Sequence, residues 1–277
     1  MSMCDRQGML RQSPLRGPSL NRRARWAGQS GQAMVEFIII APALLFVCFA
    51  IIQFVLLYQA KSTLDVAVLE AAREGAVNNG SMKAMRAGLA RGLTPIYARH
   101  ADADGVDAAL VAAQTDASNF AVITVISPTE AAIQDFSQPR FYPDQGVTYS
   151  EIPNDSLMYR DSTTLGPGSR INIQDANLLK IHVHYCYNMY VPLASKVIYY
   201  AVNVIGSIGT MGILTHEPAN QDPYGAPLNG DALCKTKLVD GIATDRWPLS
   251  LDSEAMVRMQ SPLRYSAIND SPNPTGL

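Results

Sequence analysis

The sequence predicts an α+β protein: a long N-terminal transmembrane and stalk helix, then a globular domain of short helices and a small antiparallel sheet. Three observations lead there. Between Glu36 and Lys61 no side chain is charged, and residues 37–58 read FIIIAPALLFVCFAIIQFVLLY. The residues that follow keep helical periodicity instead of breaking off. Far downstream, residues 179–189 alternate apolar and polar side chains with the period of two that a half-exposed strand requires.

The first element is a basic leader. Residues 1–31 hold Arg6, Arg11, Arg16, Arg22, Arg23 and Arg25 against Asp5 alone, +5, which leaves −7 on the rest of a chain whose net charge is −2. An acidic body argues against a nucleic-acid binder. The apolar run comes next, broken only by Pro42 and Gln53. A helix of about 20 such residues matches a hydrocarbon core about 30 Å thick. Arginines before the span predict a cytoplasmic N-terminus and an outer body. A cleavable secretory signal would have only about 7–15 apolar residues and a small-residue cleavage site. Here the helical pattern simply continues, so the span is expected to stay.

The stalk follows. Leu64, Val68, Ala71, Ala72 and Gly75 form one stripe, while Lys61 with Asp65 and Glu70 with Arg73 have the spacing of surface pairs. One helix over 33–77 would be about 65 Å long. Asn78-Asn79-Gly80 ends it with turn chemistry. Two shorter helices are expected over 81–93 and 102–113 with Pro95 between them, Asp102 and Asp104 serving the second as cap and dipole charge. Residues 120–126 (FAVITVI) read as a strand. Residues 137–170, rich in Pro, Asn, Ser, Gly and Tyr, read as one long loop. Strands are expected over 179–189 and near Ala255, Val257 and Met259, stopped by Pro262. Residues 197–214 are uncharged but weakly hydrophobic; they read as an interface-lying helix with Tyr199 and Tyr200 near the headgroups, and a second span is the alternative. The domain boundaries are 1–31 for the leader, 32–80 for the transmembrane and stalk helix and 81–277 for the extracytoplasmic domain.

The junction between leader and span carries the most information. After Gly31 come Gln32-Ala33-Met34-Val35-Glu36-Phe37, so a carboxylate stands at the head of an apolar helix. An interfacial carboxylate is costly unless paired. It could favour the helix N-terminus through the macrodipole. It could neutralise a neighbouring subunit's N-terminal amine if the chain were cut after Gly31. It could also simply mark the end of the span.

Basic leader, Gly31, four residues, Glu36-Phe37 and Ala41-Pro42-Ala43-Leu44-Leu45 together resemble the type IV pilin class, and within it the TadE-like minor pseudopilins of tight-adherence (Flp) pilus systems. Ile152-Pro153-Asn154-Asp155-Ser156-Leu157, Ile173-Gln174-Asp175-Ala176-Asn177-Leu178-Leu179-Lys180 and Met256-Val257-Arg258-Met259-Gln260-Ser261-Pro262 are similar to larger members of the group. The leader departs from the pattern in its length, which leaves Met3 and Met9 open as starts. The resemblance implies a pilus-assembly protein of the bacterial inner membrane with a periplasmic domain, possessing no cofactor and no enzymatic role. It implies cleavage by a prepilin peptidase between Gly31 and Gln32, and assembly through Glu36 and Phe37. Its partners would be that peptidase, other pilins or pseudopilins, the assembly platform and membrane lipid, with no nucleic acid. Pro42, which lacks a backbone donor, would kink or loosen the span.

Few residues suggest other chemistry. His182, His184 and Cys186 share one strand face and could converge on a metal, or could be plain solvent-facing polar residues. There is no G-x-S-x-G elbow, H-E-x-x-H pair or Walker-type loop. The competing reading is a membrane-anchored enzyme or ligand-binding module using the 137–170 loop, but an ordinary anchor needs neither Glu36 nor a cut at Gly31. Of four cysteines, Cys4 lies in the leader and Cys48 among Phe46, Val47, Phe49 and Ala50. That leaves Cys186 and Cys234 as a pair in an oxidising compartment, a bridge worth roughly 4 kcal/mol by chain entropy. The alternative is Cys186 on a metal with Cys234 free.

Overall fold

The computed structural model describes residues 30–202, 234, 236–239 and 246–268. The chain divides into two compact units, Met1–Leu45 and Phe46–Leu277. Helix α1 is Ser30–Val77, with Pro42 inside it. In the first unit its side chains from Met34 onward are mostly exposed; Phe37 is 70% exposed, and Ile38, Ile39, Ile40, Leu44 and Leu45 are exposed too. An apolar helix exposed all round calls for lipid or other apolar helices around it. By length and composition Met34–Val77 can cross a membrane.

In the second unit the rest of α1 becomes a core element. Leu64, Ala67, Val68, Ala71 and Ala72 are fully buried. Helix α2 (Met82–Tyr97) lies very close to that stripe. A Cβ on Gly92 would come 2.3 Å from the Ala67 Cα, and one on Gly88 3.0 Å from the Ala71 Cα, so only glycine permits this approach. Lys61 and Asp65 pair at 2.6 Å as expected. Glu70 instead faces Arg91 of α2, which also binds Glu74. The expected Glu70–Arg73 pair gives way because the neighbouring helix brings a cation to the same carboxylates.

The short helices run longer than the sequence suggested. Pro95 lies inside α2 rather than after it. Proline there forfeits one backbone bond, but Ile96 and Tyr97 pack against the core, and their burial offsets that loss. Helix α3 is Ala103–Phe120, capped as predicted by the Asp102 side chain, which accepts the Gly105 N–H at 3.1 Å. Strand β1 is Ala121–Ser127, followed by α4 (Glu130–Phe136).

The expected single sheet is two three-stranded antiparallel sheets. The first has the order β1-β4-β5, with β4 (Leu178–Met189) central and β5 being Trp247–Arg258. The apolar face read in β4 is correct, with Leu179, Ile181, Val183, Tyr185, Tyr187 and Met189 all buried, but Cys186 on the other face is buried too rather than solvent-facing. The second sheet corrects the 137–170 loop. Strands β2 (Gln138–Tyr142) and β3 (Val147–Ile152) form a hairpin, with β6 (Leu263–Arg264) beside β3. The turn Pro143-Asp144-Gln145-Gly146 closes it, Gly146 taking φ +64°. Tyr142 and Tyr149 stack edge-to-face, and buried Glu151 accepts from the Tyr142 hydroxyl and from Arg264. Helix α5 is Ala194–Tyr200. Tyr199 and Tyr200 both pack on Trp247; the remainder of the 197–214 segment beyond Val202 lies outside the described residues.

Candidate functional site

The residues singled out at the start of the span all fall in α1. Gly31 and Gln32 are in its opening turn, Glu36 and Phe37 are exposed in the next, and Pro42 follows. The first turn holds no acidic residue. Because the dipole effect fades within one turn, Glu36 sits too far along to serve the helix terminus. Pairing with another group and marking the end of the span are the uses left to it.

At the other end of α1 the structure brings together segments that the sequence left apart. Asn79 and Gly80 take positive φ, +58° and +76°, and turn the chain sharply after the helix. The Asn79 N–H donates to Ser261 Oγ at 2.8 Å, and its side-chain amide donates to the Pro262 carbonyl at 2.7 Å. The N–H groups of Gln260 and Ser261 donate to the Ala76 carbonyl, one of the acceptors a helix end leaves open. The side-chain amide of fully buried Asn177 donates to the carbonyls of Pro153 and Ile173, while its backbone carbonyl accepts from Met259 N–H at 2.9 Å. The three downstream segments singled out in the sequence therefore meet at one polar joint beneath the helix end. That convergence was not legible, since each partner lies far away in sequence.

A second polar centre escaped the sequence altogether. Asp116 of α3 accepts from Tyr97 and Tyr185 hydroxyls at 2.5 and 2.7 Å, and from the Lys237 ammonium at 2.8 Å. Lys237 also donates to the Cys186 carbonyl at 2.7 Å and lies over the Phe120 ring. Burial pushes the Lys237 pKa down, opposed by the Asp116 charge. The only available signal was that Lys237 follows Cys234 by three residues. Cys186 and Cys234 form a disulfide, Cα–Cα 5.5 Å, within the usual span for such a bridge. The bridge uses up the thiol that a metal would need. His184 turns to Asp252 at 2.6 Å, and His182 lies 3.5 Å from the same carboxylate.

Burial, with the Asp116 charge, raises the pKa of both Tyr97 and Tyr185 well above the ordinary 10.0. A group whose pKa is raised by folding contributes stability that is complete below its unfolded value and is lost as pH climbs toward the folded one. Stability should therefore fall as pH rises above about 10. In a difference spectrum against the Tyr97→Phe, Tyr185→Phe variant, the phenolate signal of this pair should arrive only with unfolding. Ionisation of the pair in the folded protein would contradict the network.

A shallow groove of about 220 Å³ lies between α2, α3 and β1, lined by Leu89, Ala90, Ala117 and Ile123 with Arg86 and Gln114. Its lining includes no carboxylate, histidine or cysteine, so it offers no general acid, base or metal ligand.

Among the described residues one helix is long and apolar enough to cross a membrane, and its second half is built into an α+β head, the pattern of a single-pass anchor. Residues 31–73 match the model of the family described as TadE-like protein. The match begins at Gly31 and ends at Arg73 within α1, so the likeness to that family lies in this helix. No curated protein and no solved structure matches the chain.

Proposed function

We propose that this chain is a minor pseudopilin taking part in assembly of a tight-adherence (Flp/type IVc) pilus. The observation that carries the reading is the TadE-like match over 31–73, on a helix whose apolar side chains before Leu45 have no cover of their own. In this reading the leader holds the N-terminus in the cytoplasm and the head lies in the periplasm. A prepilin peptidase cuts between Gly31 and Gln32. The freed helix packs sideways against other pilin helices, and Glu36 meets a neighbour's amine. In an apolar surrounding that pairing would fix the relative height of two helices, because an unpaired carboxylate there is costly. Such a protein works by binding and needs no reaction centre.

Mass spectrometry of the mature N-terminus tests it. A chain beginning at Gln32 is expected. An intact leader, or a cut elsewhere after the span, would overturn the reading.

A further inference from the structure

The uncharged run before Lys61 is not all surrendered to lipid. Gln53 is fully buried, and its Oε1 accepts the Val191 N–H at 3.0 Å. Ala60 is buried as well, and Leu57 packs on the core. Gln53, Leu57, Ala60 and Leu64 form one helical stripe, so the chain between β4 and α5 lies along this face of α1. On the same turns Phe54, Val55 and Tyr58 remain 60–78% exposed. The last turns of the apolar run thus carry lipid-type side chains on one face and the edge of the head on the other.

That edge has the composition of a bilayer interface. Tyr190, Leu193, Val197 and Tyr200 are 41–56% exposed. No acidic residue occurs from Tyr187 to Val202, where the single charge is Lys196; Arg246, which follows Asp245 in the chain, lies close to Tyr190. Lys196 lies 5.6 Å above the Trp247 ring, and the Arg246 guanidinium 5.2 Å from the Tyr190 ring. Leu193 stands exposed at φ +65°, a conformation that a leucine adopts only under constraint from its surroundings. Aromatic rings backed by cations, with apolar tips between them, suit the headgroup region of an anionic membrane.

We propose that this edge, Tyr190 to Tyr200 with Arg246, seats the head on the surface of an anionic bilayer beside the point where α1 emerges. The Gln53–Val191 hydrogen bond sets the height at which it seats. The partner is lipid, and the argument is continuity with the exposed apolar face of α1 together with the cationic rim. The proposal rests on membrane insertion of α1, and does not require the pilus reading.

The test uses the full chain in vesicles of phosphatidylethanolamine and phosphatidylglycerol, with an environment-sensitive fluorophore on a single cysteine. Three sites are compared: native Cys48 in the Cys4→Ser chain, and Leu193→Cys or Met158→Cys in the Cys4→Ser, Cys48→Ser chain. Met158 is 86% exposed and belongs to the region of the polar joint, at the opposite end of β4. Lipids spin-labelled near the headgroups should quench the probe at 193 about twofold, as for a side chain about 5–10 Å deep. The probe at 158 should be unaffected, and the probe at 48 should respond to lipids labelled deeper in the chain. Quenching at 48 without quenching at 193 overturns the proposal, whether the edge is held off the surface or covered by another copy. Equal quenching at 158 and 193 overturns it too. Failure to quench at 48 removes the anchor and the docking together, while the N-terminal mass still decides the pilus reading separately.

Discussion

Gly31→Leu is expected to leave a full-length, uncut precursor in the membrane. The rest of the leader, the span and the head are unaltered in that variant, so insertion and folding of the head should proceed as before. What changes is the residue on the leader side of the proposed cut, where a branched side chain replaces none. The effect should be close to all-or-none, because a peptidase that must close around an extended backbone cannot move a large side chain aside cheaply. Immunoblotting for precursor and mature forms reads it directly. Normal processing of the leucine variant would remove Gly31 from its role.

Asp116→Ala is expected to cost the head about 3–5 kcal/mol, the loss typical of stranding one member of a buried ion pair. The Lys237 side chain is only 4% exposed, so without Asp116 its ammonium faces Phe120 and Tyr185 with the Cys186 carbonyl as its remaining acceptor. The two tyrosine hydroxyls lose the carboxylate as well and keep their contact with each other at 2.7 Å. Asp116→Leu combined with Lys237→Met should be far milder, since both charges leave together. Urea unfolding of the full chain in detergent distinguishes them. Equal losses in the single and double variants would show that the cost lies in packing and in the tyrosine hydroxyls, not in a stranded ammonium.

The elements readable in the sequence were those set by local pattern. The uncharged run before Lys61, the stripe from Leu64 to Gly75, the alternation of β4 and the Asp102 cap all depend on neighbours within a few residues. The 138–152 hairpin was legible too, in Pro143-Asp144-Gln145-Gly146, but the surrounding Pro, Ser and Tyr content hid it. Pro95 misled in the opposite direction, because Ile96 and Tyr97 gain more from burial than the helix loses at the proline. The polar features were out of reach. Asp116 and Lys237 are 121 residues apart, and Asn79 meets Ser261 from 182 residues away. Glu36 was legible as a residue but not as a position. Only the start of α1 at Ser30 shows it to be beyond the first turn.

The joint at the end of α1 also orders events during synthesis. Helix α1 is complete once Val77 has been made, yet what holds it comes from near the other end of the chain. Lys61 waits for the Asp252 carbonyl, 191 residues later, and Asn79 for Ser261. Until β4 and β5 are made, the face of the stripe from Leu64 to Gly75 that α2 leaves open has no cover from the sheet, and any apolar partner within reach can occupy it. A nascent chain of this protein therefore passes through a long interval as an anchored helix with an adhesive flank. Whatever shields that flank, a chaperone or the membrane surface itself, governs how much of the protein reaches its folded form.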